Sequence, residues 1–193
     1  MLSGPGIAVV AALAATAGLA TGCGGGTRQD AGEPSASYRV RVVDARFPRY
    51  QGLADTVPLS ITVRNTGTAT IPNVAMTVDG FNYESTQPGN ADPQRPVWIV
   101  NLGPVNGVTA YVNTWALGPL PAGRTATFRW LVTAALAGTH TLHYRVAAGL
   151  NGNARAVTAG DQPPEGDITA RVTQRPRISK VNPKTGKVVN VGQ

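Results

Sequence analysis

The stretch Val57-Pro58-Leu59-Ser60-Ile61-Thr62-Val63-Arg64-Asn65-Thr66-Gly67-Thr68 decides the fold. Val57, Leu59, Ile61 and Val63 alternate with residues that include Ser60, Thr62 and Arg64. Successive side chains of an extended chain point to opposite faces, so this period of two gives a strand with one apolar and one polar face. Asn65-Thr66-Gly67-Thr68 then supplies turn chemistry. An apolar strand face has to be buried against a second layer, which the rest of the chain must provide.

The same period recurs on both sides. Upstream, Tyr38, Val40 and Val42 alternate with Arg39 and Arg41, followed by an irregular turn from Phe47 to Gly52. Downstream, Val74, Met76 and Val78 alternate and Asp79-Gly80 closes that strand. Ala126, Phe128, Trp130 and Val132 face one way while Thr127 and Arg129 face the other. Leu142, Tyr144 and Val146 alternate with His143 and Arg145, and Ile168, Ala170 and Val172 with Thr169 and Arg171. Val97–Leu102 and Thr109–Trp115 read as two more extended segments, and Phe81–Pro96 as a long polar loop. Asn182–Val189 has the make-up of a small terminal hairpin. The pattern predicts an all-β chain, an antiparallel Ig-like β-sandwich of seven to nine strands.

Composition agrees. The chain has 193 residues, 23 of them Gly and 15 Pro, with 42% apolar and 14% charged residues. That is enough apolar material for one core, cut by many turns. The formal charge is +7. Arg175, Arg177, Lys180, Lys184 and Lys187 place +5 of it in a basic tail, 175–193, that contains no acid. Such a tail can touch phosphates or lipid headgroups, but its simplest reading is a solvated end.

The motifs Leu59-Ser60-Ile61-Thr62-Val63-Arg64-Asn65-Thr66-Gly67, Leu120-Pro121-Ala122-Gly123-Arg124-Thr125-Ala126-Thr127-Phe128 and Ala137-Gly138-Thr139-His140-Thr141-Leu142 resemble the bacterial Ig-like domains of the CARDB and DUF11 kind. The resemblance covers about Tyr38 to Ala148. It rests on turn and core positions, and so implies a fold and a surface-associated, adhesive setting more than a chemistry. An insertion at about 81–117 departs from the family pattern.

Ile7–Ala20 is an apolar run of 14 residues, shorter than the roughly 20 a spanning helix needs. It fits the hydrophobic segment of an export signal. Leu19-Ala20-Thr21-Gly22-Cys23 follows and resembles the lipobox of bacterial lipoproteins, in a leader that carries no Lys or Arg. The resemblance implies a signal peptide over 1–22, cleavage after Gly22 and a lipid on the thiol of Cys23. Cys23 is the single cysteine, so it has no disulfide partner within the chain. Residues 23–37, rich in Gly and small polar side chains, read as a flexible linker. The sandwich then occupies 38–174.

Few groups suited to catalysis occur in the chain. His140 and His143 fall on opposite faces of one strand and cannot jointly hold a metal. No Gly-x-Ser-x-Gly elbow or phosphate-cradling loop occurs. Asp79, Asn82, Glu84, Asn90 and Asp92 concentrate in one loop region, but their spacing matches no EF-hand. Tyr83, Trp98, Tyr111 and Trp115 form the candidate ligand patch, suited to a sugar ring or peptide. The competing reading has them cover the core edge of an enlarged sheet. No catalytic residue, cofactor or metal site is expected, and nucleic acid is disfavoured by the export signal. The sequence therefore points to a lipid-anchored protein at the cell membrane, facing outside the cytoplasm. Its role would be non-catalytic: adhesion, scaffolding, or binding of an envelope protein or glycan. An envelope enzyme or its accessory subunit, and a secreted unanchored domain, are the alternatives.

Overall fold

The computed structural model describes residues 32–89, 91–175 and 178–191. Its elements, in chain order, are β1 (Ala36–Arg46), β2 (Tyr50–Gly52), β3 (Thr56–Asn65), β4 (Ala75–Asp79), β5 (Asn82–Glu84), β6 (Gln94–Pro96), β7 (Trp98–Leu102), β8 (Val108–Tyr111) and β9 (Thr114–Ala116). They continue with β10 (Thr125–Ala134), β11 (Gly138–Ala147), β12 (Ala154–Val157), β13 (Glu165–Thr173), β14 (Ile178–Val181) and β15 (Val188–Val191). No helix occurs among the described residues, and none there is long and apolar enough to cross a membrane.

One sheet has the order β12-β1-β3-β10-β7 and the other β2-β13-β11-β4-β9-β8. The all-β sandwich is thus as the alternation requires. Leu59, Ile61 and Val63 of β3 are buried, as are Phe128, Trp130 and Val132 of β10 and Met76 and Val78 of β4. The layers interlock through aromatics: Trp130 of the first sheet meets Trp115 of the second edge-on at 5.4 Å, and Trp98 of the first meets His140 of the second at 5.7 Å. Edge-to-face contacts align a ring's positive rim with its neighbour's negative face.

Two features extend the expectation. Both sheets are mixed, because β12 joins β1 and β2 joins β13 in parallel. The strand count exceeds nine because the insertion is built from strands. β7 extends the first sheet, β8 and β9 extend the second, and β5 with β6 forms a separate two-stranded ribbon. Phe81–Pro96 is therefore not simply a loop: Asn82–Glu84 pairs with Gln94–Pro96 around an irregular turn. The C-terminal hairpin forms, with β14 and β15 antiparallel.

Turn chemistry locks the sandwich at one end. Asn65 is fully buried. Its Nδ2 donates to the Ala69 carbonyl at 2.8 Å and the Leu120 carbonyl at 2.9 Å, while its Oδ1 accepts from the Gly67 N–H at 3.0 Å. One amide side chain thus satisfies three backbone groups and ties two distant turns together. At Gly80, φ is +97° and a Cβ would come within 2.5 Å of the Thr141 carbonyl oxygen, so β4 can end beside β11 only through glycine.

Candidate functional site

The four aromatic candidates do not converge. Trp98 begins β7 with its ring 1% exposed, opposite the small Ala134 of β10, which leaves room for the indole. Its Nε1 donates to Gln51 Oε1 at 2.8 Å, and Gln51 Nε2 donates to the Pro48 carbonyl at 2.8 Å. Trp115, on β9, is buried against Trp130 and Phe81. Tyr83 and Tyr111 are exposed, but they lie on different sheets, on β5 and β8. The ligand patch of Tyr83, Trp98, Tyr111 and Trp115 is accordingly corrected. The insertion strands obey the same alternation as the rest of the sheets, and the two indoles fall on the inward side.

What the insertion does expose is apolar and uncharged. Between Arg95 and Arg124 the chain has no Asp, Glu, Lys or Arg. Within it, Ile99 and Leu102 on β7, Val105 in the connecting loop, Val108 on β8 and Val112 at the β8–β9 turn are all exposed, Val112 to 88%. β7 is the last strand of one sheet and β8 the last strand of the other, and residues 103–107 join them. Edge strands ordinarily carry charges, prolines or bulges that discourage pairing. Here a register shift in β8 at Thr109/Tyr111 is accompanied by no charge at all. The gap in charge was legible in the sequence; that it coincides with two sheet edges was not.

The titratable groups form a surface row. His143 Nδ1 lies 2.8 Å from Asp167 Oδ1 across the β11–β13 ladder, Glu165 Oε2 is 3.8 Å from His143 Nε2, and Arg145 Nε donates to Glu165 Oε2 at 3.3 Å. Thr141 and Thr169 hydroxyls meet beside it at 2.9 Å. His140 points the other way, into the interface with Trp98, as the alternation expected. Tyr144, next along β11 and inward-facing, has its phenol pKa raised above 10.0, first by burial and second by the Asp167 charge. Among the described residues no three His, Cys, Asp or Glu side chains form a metal-holding set. In the acidic loop region, Asp92 is occupied in capping the Gln94 N–H, and Asn90 lies outside the described residues.

The N-terminal approach to the domain is docked. Glu33 Oε2 accepts from the Leu150 and Asn151 N–H groups at 2.7 and 2.9 Å, and its Oε1 from the Ala154 N–H at 2.5 Å. Ala36 then pairs with Ala154 to begin the β1–β12 ladder. The chain is thus engaged by the domain from Glu33, within the stretch read as linker. Cys23 and the stretch 1–22 expected to be a signal peptide lie outside the described residues.

No family profile matches the chain, and no curated protein matches it. Solved structures do resemble the fold. A CARDB domain from Pyrococcus furiosus, in complex with di-metal ions, aligns at a TM-score of 0.46 and 12% identity over 70% of this chain and 89% of that one. Escherichia coli alpha-2-macroglobulin aligns at a TM-score of 0.44 and 14% identity over 73% of this chain, which spans only 10% of the macroglobulin. The class itself, a two-sheet Ig-like sandwich with mixed edges, is defined by the strand order and shared core of the molecule.

Proposed function

We propose that this chain is a lipid-anchored extracytoplasmic protein whose single Ig-like domain binds an envelope protein without catalysing a reaction. Leu19-Ala20-Thr21-Gly22-Cys23 and the lone thiol support the anchor. The uncharged double edge of β7 and β8 carries the binding reading. An edge strand offers every second N–H and C=O to a partner strand, and Ile99, Leu102 and Val108 supply apolar contacts alongside. The partner is an extended, apolar segment of another protein.

Two measurements test this. Mass spectrometry of the mature N-terminal peptide should find it beginning at a diacylglyceryl-modified Cys23; an unmodified peptide with another start overturns the anchor. A photo-crosslinking side chain at Val112 should capture one predominant envelope protein in intact cells, and the same probe at exposed Thr125 should not. Equal capture at both positions overturns the edge as the binding element.

A further inference from the structure

The outer face of the five-stranded sheet carries an arrangement that the fold does not need. β1 and β3 place Arg41 directly opposite Arg64. Opposed residues on antiparallel strands have Cα atoms about 5 Å apart, and like charges so placed are destabilising. Further along the same face, Ser60 of β3 is flanked by Arg46 of β1 on one side and Arg129 of β10 on the other. Arg46 is paired with Asp44 at 2.8 Å, whereas Arg41, Arg64 and Arg129 have no acid or hydrogen-bond partner among the described residues. All three are exposed. Between the rows, the Thr62 and Thr127 hydroxyls meet at 3.0 Å. Four residues of strand separate Arg64 from Ser60, so the basic rows lie about 14 Å apart.

This is a sheet face presenting guanidinium forks and hydroxyls, and the two acids that reach it, Asp44 and Asp161, are already engaged by Arg46 and Arg39. Guanidinium donates to oxyanions in bidentate fashion and has no acceptor of its own, so the complementary surface is anionic and oxygen-rich. The position of the chain's entry narrows the choice. Glu33 is fixed at Ala154, on the β12 edge of this same sheet. The ten residues from Cys23 to Glu33 reach at most about 36 Å. A domain tethered within that distance of a bilayer can lay one face on it. We infer that the Arg41–Arg64–Arg129 face docks on the phosphate headgroups of an anionic bilayer, so that the tethered domain lies on the membrane in one orientation. This inference rests on the anchoring reading for its geometry, but the face itself can be tested without the lipid.

The test uses residues 23–193 with Cys23→Ser, which retains every described residue and carries no acyl chain. Cosedimentation is measured with phosphatidylcholine vesicles and with the same vesicles containing phosphatidylglycerol. The chain should bind the second and not the first, and should be released near 1 M salt, where the Debye length falls to about 3 Å. Each basic residue at an anionic surface is worth roughly a fivefold factor, so the triple variant Arg41→Gln, Arg64→Gln, Arg129→Gln should bind on the order of a hundredfold more weakly. Arg41→Gln alone should weaken binding about fivefold and raise the melting temperature, because it removes the like-charge pair. A residue with a merely structural role would not move both in these directions. Equal binding by the parent chain and the triple variant overturns the inference. So does binding that Lys180→Gln, Lys184→Gln, Lys187→Gln abolishes and the face variant leaves intact, or retention on an anionic polysaccharide with no vesicle binding. Failure here with a lipidated Cys23 found by mass spectrometry leaves the anchor standing and removes only the docking face.

Discussion

Asn65 Nδ2 donates to the Leu120 carbonyl oxygen at 2.9 Å across a sequence separation of 55 residues. The contact joins the turn after β3 to the turn before β10, and backbone bonds from Asn65 N to Arg124 O and from Gly123 N to Asn65 O close the same corner at 3.0 and 2.9 Å. Asn65→Ala would leave the exposed Ala69 carbonyl to water and the buried Leu120 carbonyl with the Ile71 N–H as its remaining donor. Each hydrogen bond lost costs about 0.5–1.5 kcal/mol net, so the variant should lose about 1–3 kcal/mol in urea titration. Asn65→Asp should lose at least as much, since a carboxylate would face the same two carbonyls.

All three tryptophans of the chain are buried, Trp98 and Trp130 almost completely and Trp115 at 8% exposure. Their fluorescence should therefore be blue-shifted and poorly quenched by acrylamide in the native protein. Added mono- or oligosaccharides should leave it unchanged. Trp98→Ala should cost about 3–5 kcal/mol, as expected for a large core aromatic, rather than report on ligand affinity. Ready quenching in the folded state would contradict the placement of these rings.

Tyr144 provides a pH signature. Burial and the Asp167 charge both disfavour phenolate, which raises the folded pKa above the ordinary 10.0. The folded state therefore holds this proton more tightly than the unfolded state does. The resulting stability is complete below about pH 10 and is lost as pH rises through the raised value. Urea midpoints should hold up to about pH 10 and fall above it in the parent chain, and fall less in Tyr144→Phe. Asp167→Asn should reduce the effect without abolishing it, because burial is the larger cause.

The Glu33 carboxylate offers a local test. It accepts from three backbone N–H groups, and charge-assisted bonds of this kind contribute about 1.5–3 kcal/mol each when fully formed. Glu33→Ala should accelerate amide exchange at Leu150 and Ala154 and along the β1–β12 ladder, with little change at β3 or β10. Gly149→Ala should act similarly, since a Cβ there would collide with the Glu33 carboxylate.

Introducing charge at the exposed edge should separate binding from folding. Leu102→Lys and Val112→Glu alter side chains that are already in solvent, so melting temperature should stay nearly constant. Capture of the envelope partner should be lost. Retained capture with both substitutions present would assign binding elsewhere.

The alternation in Val57 to Val63, and its repeats around Phe128, Leu142 and Ala170, determined on its own which side chains are buried and that the chain is all-β. The pleat has a period of two whatever the neighbours are, so this information is local. The turns at Asn65-Thr66-Gly67 and Asp79-Gly80 were legible for the same reason. Only the tertiary structure decided that β12 and β2 join in parallel, that the insertion enlarges both sheets, and that Trp98 and Trp115 point inward while Tyr83 and Tyr111 do not. It alone placed Arg41 opposite Arg64 and brought the uncharged segments to two edges. Register and strand order depend on which distant segments bury one another best, and a one-residue slip exchanges the two faces of a strand. That choice is made by the whole core at once, and no single stretch of sequence contains it.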